Sequence, residues 1–118
     1  GADGRLRARL THAPPVNNVR PSVDVLFNSV PTAVMAATVA VVLTGMGKDG
    51  ADGAQAIARN GGYVIAQDEA SAVVWGMPGA VVKAGAAHLV APIPQIARAL
   101  AEVQRTQTVP IPVIWGTP

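Results

Sequence analysis

VAVVLTGMGKDGADG, residues 39–53, is the stretch whose reading decides the fold. Val39 to Leu43 is a short, continuous run of β-branched and aliphatic residues, as expected of a strand buried on both faces. The run enters a loop with Gly45, Gly47 and Gly50, which permit backbone angles and close approaches that a Cβ would block. Asp49 stands just before a small-residue segment, 51–60, where a carboxylate can accept the free N–H groups of a new helix. A strand, a tight glycine loop and a helix start place polar groups at the carboxyl edge of a parallel sheet, where such folds keep their sites.

The flanking sequence extends this unit. Downstream, Ala54, Ile57 and Ala58 give the helix over 51–59 a narrow apolar stripe, and Asn60-Gly61-Gly62 ends it. Tyr63 to Ala66 reads as a second buried strand, parallel to the first because a helix joins them. Gln67 to Ser71 then lies on the same edge as the glycine loop. Pro78 opens a helix over 79–84, His88 to Ala91 forms a third strand, and Pro94 opens a last helix with inner face Ile96, Ala97, Leu100 and Val103. Upstream, Arg5 to Leu10 alternates as a strand with one wet face. Pro21, Ser22 and Asp24 start a helix that buries Val23, Leu26, Phe27 and Val30 and ends near Pro31. The order predicts an α/β, doubly wound, mostly parallel sheet with helices on both faces, an incomplete domain over residues 1–105, and a Pro-containing tail over 106–118.

Composition narrows the functional classes. Half of the 118 residues are hydrophobic and 14% are charged, which suits a buried parallel sheet or a piece whose partner surface lies elsewhere. A net charge of +2 with few aromatics does not make a nucleic-acid footprint. The absence of cysteine excludes disulfides, thiolate metal sites and a Cys nucleophile, and fits the cytoplasm. No signal-peptide pattern opens the chain. The apolar run Val30–Leu43 is interrupted by Pro31, Thr32 and Thr38 and is too short to span a bilayer, so no membrane insertion is expected.

Three chemistries remain open for the loop. Residues 45–50 match G-x-G-x-x-G, with Asp68 placed where a ribose-binding acid would sit, so a nucleotide-binding or interaction module is one alternative. Against it, Asp49 would set a carboxylate beside the pyrophosphate. A purely structural turn, with Asp49 as the N-cap of the following helix, is the second. In the third, Asp49 is the acid of a Ser-His-Asp hydrolase, held rigidly and aimed at a histidine. Ser22, Ser29 and Ser71 lie in no nucleophile-elbow pattern, and the spacing of His12 and His88 says nothing more.

Four segments in register carry a resemblance: Arg20-Pro-Ser-Val-Asp-Val-Leu-Phe27, Leu43-Thr-Gly-Met-Gly-Lys-Asp-Gly-Ala51, Ala66-Gln-Asp-Glu-Ala70 and Val74-Trp-Gly-Met-Pro78. From about Asn17 to Arg105 the chain resembles the catalytic domain of the bacterial chemotaxis protein-glutamate methylesterase, the CheB type. The resemblance implies hydrolysis of glutamate γ-methyl esters on chemoreceptor signalling helices, and deamidation of receptor glutamines, by a Ser-His-Asp triad. It assigns the triad acid to Asp49 and an oxyanion-hole donor to the backbone N–H of Met46, with no metal or organic cofactor. The family's Gly-Ala-Ser-Thr-Gly-Gly and Gln-His-Met motifs do not occur here, and Asn18-Val19 stands where the family more often has Arg-His. The chain is therefore expected to supply the aspartate only and to be inactive alone. It would need the amino-terminal half of the catalytic domain, with a receiver domain as regulator. Without that half, an uncovered sheet edge and apolar faces lead us to expect a homo-oligomer.

Overall fold

The computed structural model describes residues 9–19 and 21–109. Strands β1 (Val39–Val42), β2 (Tyr63–Gln67) and β3 (Leu89–Ala91) form a parallel sheet in that order, with Val41 opposite Ile65 and Ile65 opposite Leu89. The helices are α1 (Val23–Asn28), α2 (Thr32–Met35), α3 (Ala51–Arg59), α4 (Met77–Lys83) and α5 (Ile93–Thr106). Among the described residues no helix is long and apolar enough to cross a membrane.

Alternation along the strands divides the core between two faces. Ala40, Val42, Val64 and Ala66 point to one side, where Phe27 of α1, Ile57 of α3 and Val81 of α4 cover them. Tyr63, Ile65 and Ala91 point to the other, against Ile96 of α5, with Val39 and Val41 only partly covered. Both crossovers, β1-α3-β2 and β2-α4-β3, step in one direction, so their helices share a face. The central strand β2 is buried at every position, which is why its sequence is apolar up to the hydrogen-bonded Gln67. Each fully buried Val or Ile here contributes about 2 kcal/mol of burial free energy. The α/β architecture with helices on both faces is thus the one the sequence predicts.

Several boundaries and faces differ from the sequence reading. The alternating segment 5–10 lies largely outside the described residues; Arg9 and Leu10 belong to no strand, and Leu10 is exposed. The turn α2, begun by Pro31, was not anticipated, because the apolar run around it hides its limits. Leu26 is exposed rather than inward: α1 is only six residues long and meets α3 through Val23 and Phe27, which leaves Leu26 to one side. On α5 the inner face is Ile96 and Ala99 with the partly buried Val103, while Ala97 and Leu100 turn outward. This single helix meets the sheet along a narrow line, so the wide stripe drawn from hydrophobicity is not needed. The tail beyond Val109 lies outside the described residues.

One contact sets how closely α1 and α3 approach. A Cβ on Gly53 would stand 2.5 Å from the Phe27 Cβ and 3.1 Å from Asp24 Oδ1. Alanine is intrinsically better than glycine in a helix by about 1 kcal/mol, but overpacking two helices costs about 1–3 kcal/mol. Gly53→Ala should therefore lower the melting temperature, and calorimetry of the two chains checks the sign; a rise would show that the helices separate freely.

Candidate active site

The loops that follow β1 and β2 are stitched together at the carboxyl edge of the sheet. Gly45 N–H donates to the Val74 carbonyl at 2.9 Å, and Met77 N–H donates to the Gly45 carbonyl at 2.9 Å. The Thr44 hydroxyl donates to the Val74 carbonyl and accepts the Val74 N–H, at 3.0 and 2.9 Å. Gln67, buried at the end of β2, accepts Thr44 N–H at 2.7 Å through Oε1, and its carbonyl accepts the Trp75 indole N–H at 2.8 Å. Gly76 packs so closely that a Cβ there would lie 2.7 Å from the Gly47 carbonyl oxygen and 2.8 Å from that of Gly45. These bonds hold Met46 at the crest of the glycine loop. Its side chain is 81% exposed, and its N–H has no acceptor among the described residues.

Asp49 is buried, and it does not cap its own helix. The N-cap of α3 is Gly50, in the left-handed region at φ 101°, with no side-chain cap bond. This corrects the structural-turn alternative. The carboxylate turns instead to the start of α1. Oδ1 accepts the Ser22 hydroxyl at 2.8 Å, the Asn17 Nδ2 at 3.0 Å and the Asp24 N–H at 3.2 Å. Oδ2 accepts the Val23 N–H. Asp24 returns the exchange: from the first turn of α1 its Oδ1 accepts the Gly53 N–H of α3 at 2.7 Å, and its Oδ2 accepts Asn17 Nδ2 at 2.8 Å. Each helix start is thus capped by a carboxylate from the other's segment.

Burial by itself pushes the Asp49 carboxyl up. The bonds from Asn17, Ser22 and the N–H groups of Val23 and Asp24 outweigh it together and hold the group below its ordinary value. Held by donors from the turn at Asn17 and from the start of α1, the carboxylate ties that helix start to the glycine loop.

The other polar residues fall into supporting roles. Each of the three serines has its hydroxyl proton committed: Ser22 to Asp49, Ser29 to the Leu26 carbonyl and Ser71 to Asp68. His88 sits at the opposite, amino edge of the sheet, where its Nδ1 accepts the Val64 N–H at 2.9 Å and its ring stacks on Tyr63. Strand β2 separates that edge from the glycine loop by about 13 Å, so His88 does not meet Asp49. His12 lies in the exposed lead-in. Asp68 accepts Ser71 N–H and closes its own loop. Among the described residues no cluster of His, Asp and Glu could hold a metal.

Sequence reasoning missed Asn17, Gly76 and the cross-capping by Asp24. The only available signals were the turn-forming pair Asn17-Asn18 and the acid at Asp24, which was read as serving its own helix.

The depressed Asp49 carboxyl makes stability pH-dependent with a definite sign. An aspartate in the unfolded chain titrates near about 3.9, and the folded value is lower. Ionised Asp49 therefore contributes stability in full above about pH 4, and the contribution is lost as pH falls through the folded value. Acid melting curves should fall more steeply for the native chain than for Asp49→Asn; parallel acid limbs would refute this.

Comparison with known proteins places this chain in a family. The model of the CheB methylesterase family matches residues 2–100. The chain is similar to the protein-glutamate methylesterase/protein-glutamine glutaminase of Nocardioides sp., 57% identical over 109 residues, covering 89% of this chain and 30% of that protein. It is similar to the Hahella chejuensis enzyme described as protein-glutamate methylesterase/protein-glutamine glutaminase 1, 61% identical over 89 residues, covering 75% of this chain and 25% of that protein. Among solved structures it is similar to the Thermotoga maritima CheB methylesterase catalytic domain, with a TM-score of 0.74 at 43% identity, covering 77% of this chain and 48% of that one. The chain thus spans a quarter to a third of the length of these relatives and about half of the solved domain. A match running through both helix starts, the glycine loop and the whole sheet makes this chain a member of the CheB methylesterase family.

Proposed function

We propose that this chain is the acid-bearing, carboxyl-terminal part of a protein-glutamate methylesterase catalytic domain. In this reading Asp49 orients a histidine, and the Met46 backbone N–H is one donor of the oxyanion hole. The observation that carries the reading is how the donors are shared at Asp49. Each carboxylate oxygen offers roughly two lone-pair directions. Oδ1 takes three donors and Oδ2 one, so Oδ2 is the atom left to accept an imidazole N–H.

The serine and histidine come from the amino-terminal part of the domain, since the family motifs that carry them do not occur in this sequence. The serine oxygen attacks the γ-ester carbonyl of a receptor glutamate while the imidazole takes its proton. Asp49 keeps the imidazole in the right tautomer and stabilises the imidazolium. The negative charge that forms on the carbonyl oxygen is met by the Met46 N–H. Collapse breaks the C–O bond, and the departing methoxide takes the proton from the imidazolium and leaves as methanol. Water, activated by the same imidazole, then cleaves the glutamyl-serine ester to free glutamate and serine. With a glutamine side chain, ammonia leaves instead.

The exposed side chains of Met46 and Val73, on segments bridged at Gly45 and Val74, form an apolar rim beside this site. Such a rim suits the apolar side of a receptor signalling helix. Among the described residues β1 pairs on one side only, and its other edge, with the partly covered Val39 and Val41, is the surface on which the amino-terminal half would dock. The nucleotide alternative fares worse. A phosphate at the start of α3 would need the N–H groups there, and Gly53 already donates to a carboxylate.

The test is to complete the domain with the corresponding amino-terminal part of the Nocardioides relative and measure methanol release from methylated receptor. The isolated chain should give no turnover, the completed domain should, and Asp49→Ala in it should lower kcat by about 10⁴-fold. Turnover by the isolated chain, or a completed domain indifferent to Asp49→Ala, would overturn the reading.

Gly76→Ala in the completed domain should press on the carbonyls of Gly45 and Gly47 and displace the Met46 N–H. We expect kcat to fall by about tenfold to a hundredfold, with KM little changed. Steady-state kinetics checks the split, and a loss confined to KM would argue against Met46 as a donor.

A further inference from the structure

We infer that Asn17 is a positioning residue for Asp49: its carboxamide clamps the two buried carboxylates, Asp24 and Asp49, in one fixed array. The inference deepens the reading of Asp49 as the triad acid and rests on it.

Val16 and Val19 exchange backbone hydrogen bonds at 3.0 and 3.1 Å across a two-residue turn. Asn17 and Asn18 at its tip have φ of 55° and 62°. Positive φ at both central residues belongs to the tight primed turn, and asparagine is among the few side-chain-bearing residues that tolerate it. The turn delivers Asn17 Nδ2 to Asp24 Oδ2 at 2.8 Å and to Asp49 Oδ1 at 3.0 Å. An amide nitrogen carries two hydrogens, so each carboxylate can receive its own.

That arrangement answers a specific electrostatic problem. Asp24 and Asp49 are each 5% exposed, and buried carboxylates side by side repel unless shared donors stand between them. Ser22 serves only Asp49, and Gly53 N–H serves only Asp24. Among the described residues, Asn17 is the side chain that donates to both. With Asn17, Ser22 and Asp24 N–H all on Oδ1, turning the Asp49 carboxylate would break three bonds, so Oδ2 keeps its direction. Remove the amide and the two acids lose their common donor, leaving Asp49 free to swing. Asn18 shares the turn and the left-handed backbone but bonds to neither carboxylate.

That difference provides the test, because glycine satisfies positive φ at either position and deletes only the side chain. In the completed domain, Asn17→Gly should lower kcat by about tenfold with KM unchanged, whereas Asn18→Gly should leave both alone. In the isolated chain at neutral pH, Asn17→Gly should move the carboxyl ¹³C signal of Asp49 and the amide signal of Gly53, and Asn18→Gly should not. Signals that stay in place in Asn17→Gly overturn the clamp whatever the enzyme does. Signals that move while kcat holds overturn its part in catalysis. If Asp49→Ala leaves turnover intact, the triad reading fails, and the spectroscopic comparison then decides the clamp by itself.

Discussion

Two short helices whose starts face each other across a pair of carboxylates determine how this molecule is assembled beside the glycine loop. Asp49 closes the amino end of α1 and Asp24 closes that of α3. Each start presents N–H groups that have no partner within their own helix. The partial positive charge there favours an anion. At six and nine residues, neither helix would persist alone in water. What stabilises them is the exchange itself, together with the contact of Phe27 on α3. The exchange works only because Gly53 has no Cβ to hold the helices apart.

The same exchange explains why a buried acid lies where chemistry is possible. β1 carries the chain to the carboxyl edge of the sheet, the glycine loop turns it, and Asp49 is then caught by donors from a segment more than twenty residues earlier. On the far side of the loop, Thr44, Gln67, Val74 and Gly76 hold the backbone of residues 44–47 against the neighbouring connection. One side of the loop therefore holds a negative charge and the other leaves an N–H outward. The two properties come from different neighbours, so each can be perturbed without the other.

The two faces of the sheet are covered unequally. Among the described residues, one face is covered by α1, α3 and α4, and the other by α5. β1 stands at an edge with its second face half covered, consistent with a chain that spans about half of the solved catalytic domain.

Much of the architecture was legible in residues 39–103 because strand burial, glycine stops and helix-starting prolines are local signals. Val39–Val42, Ala51–Arg59 and Tyr63–Gln67 were found nearly to the residue. Faces were harder. Leu26, Ala97 and Leu100 are apolar at helical spacing yet turn outward, because the width of a buried stripe depends on how many neighbours pack on a helix. The position of Asp49 followed from the chain alone, since the residues before and after it are a strand and a helix. Its partners did not. A carboxylate beside a helix start looks like that helix's own cap, and only the folded chain shows it reaching across to Ser22, Val23 and Asn17. The sequence by itself determined the parallel strand–loop–helix unit and the place of its acid, through periodicities a few residues long. The tertiary structure decided what the acid touches, because hydrogen bonds between residues distant in sequence depend on how helices dock, and docking leaves no periodic mark.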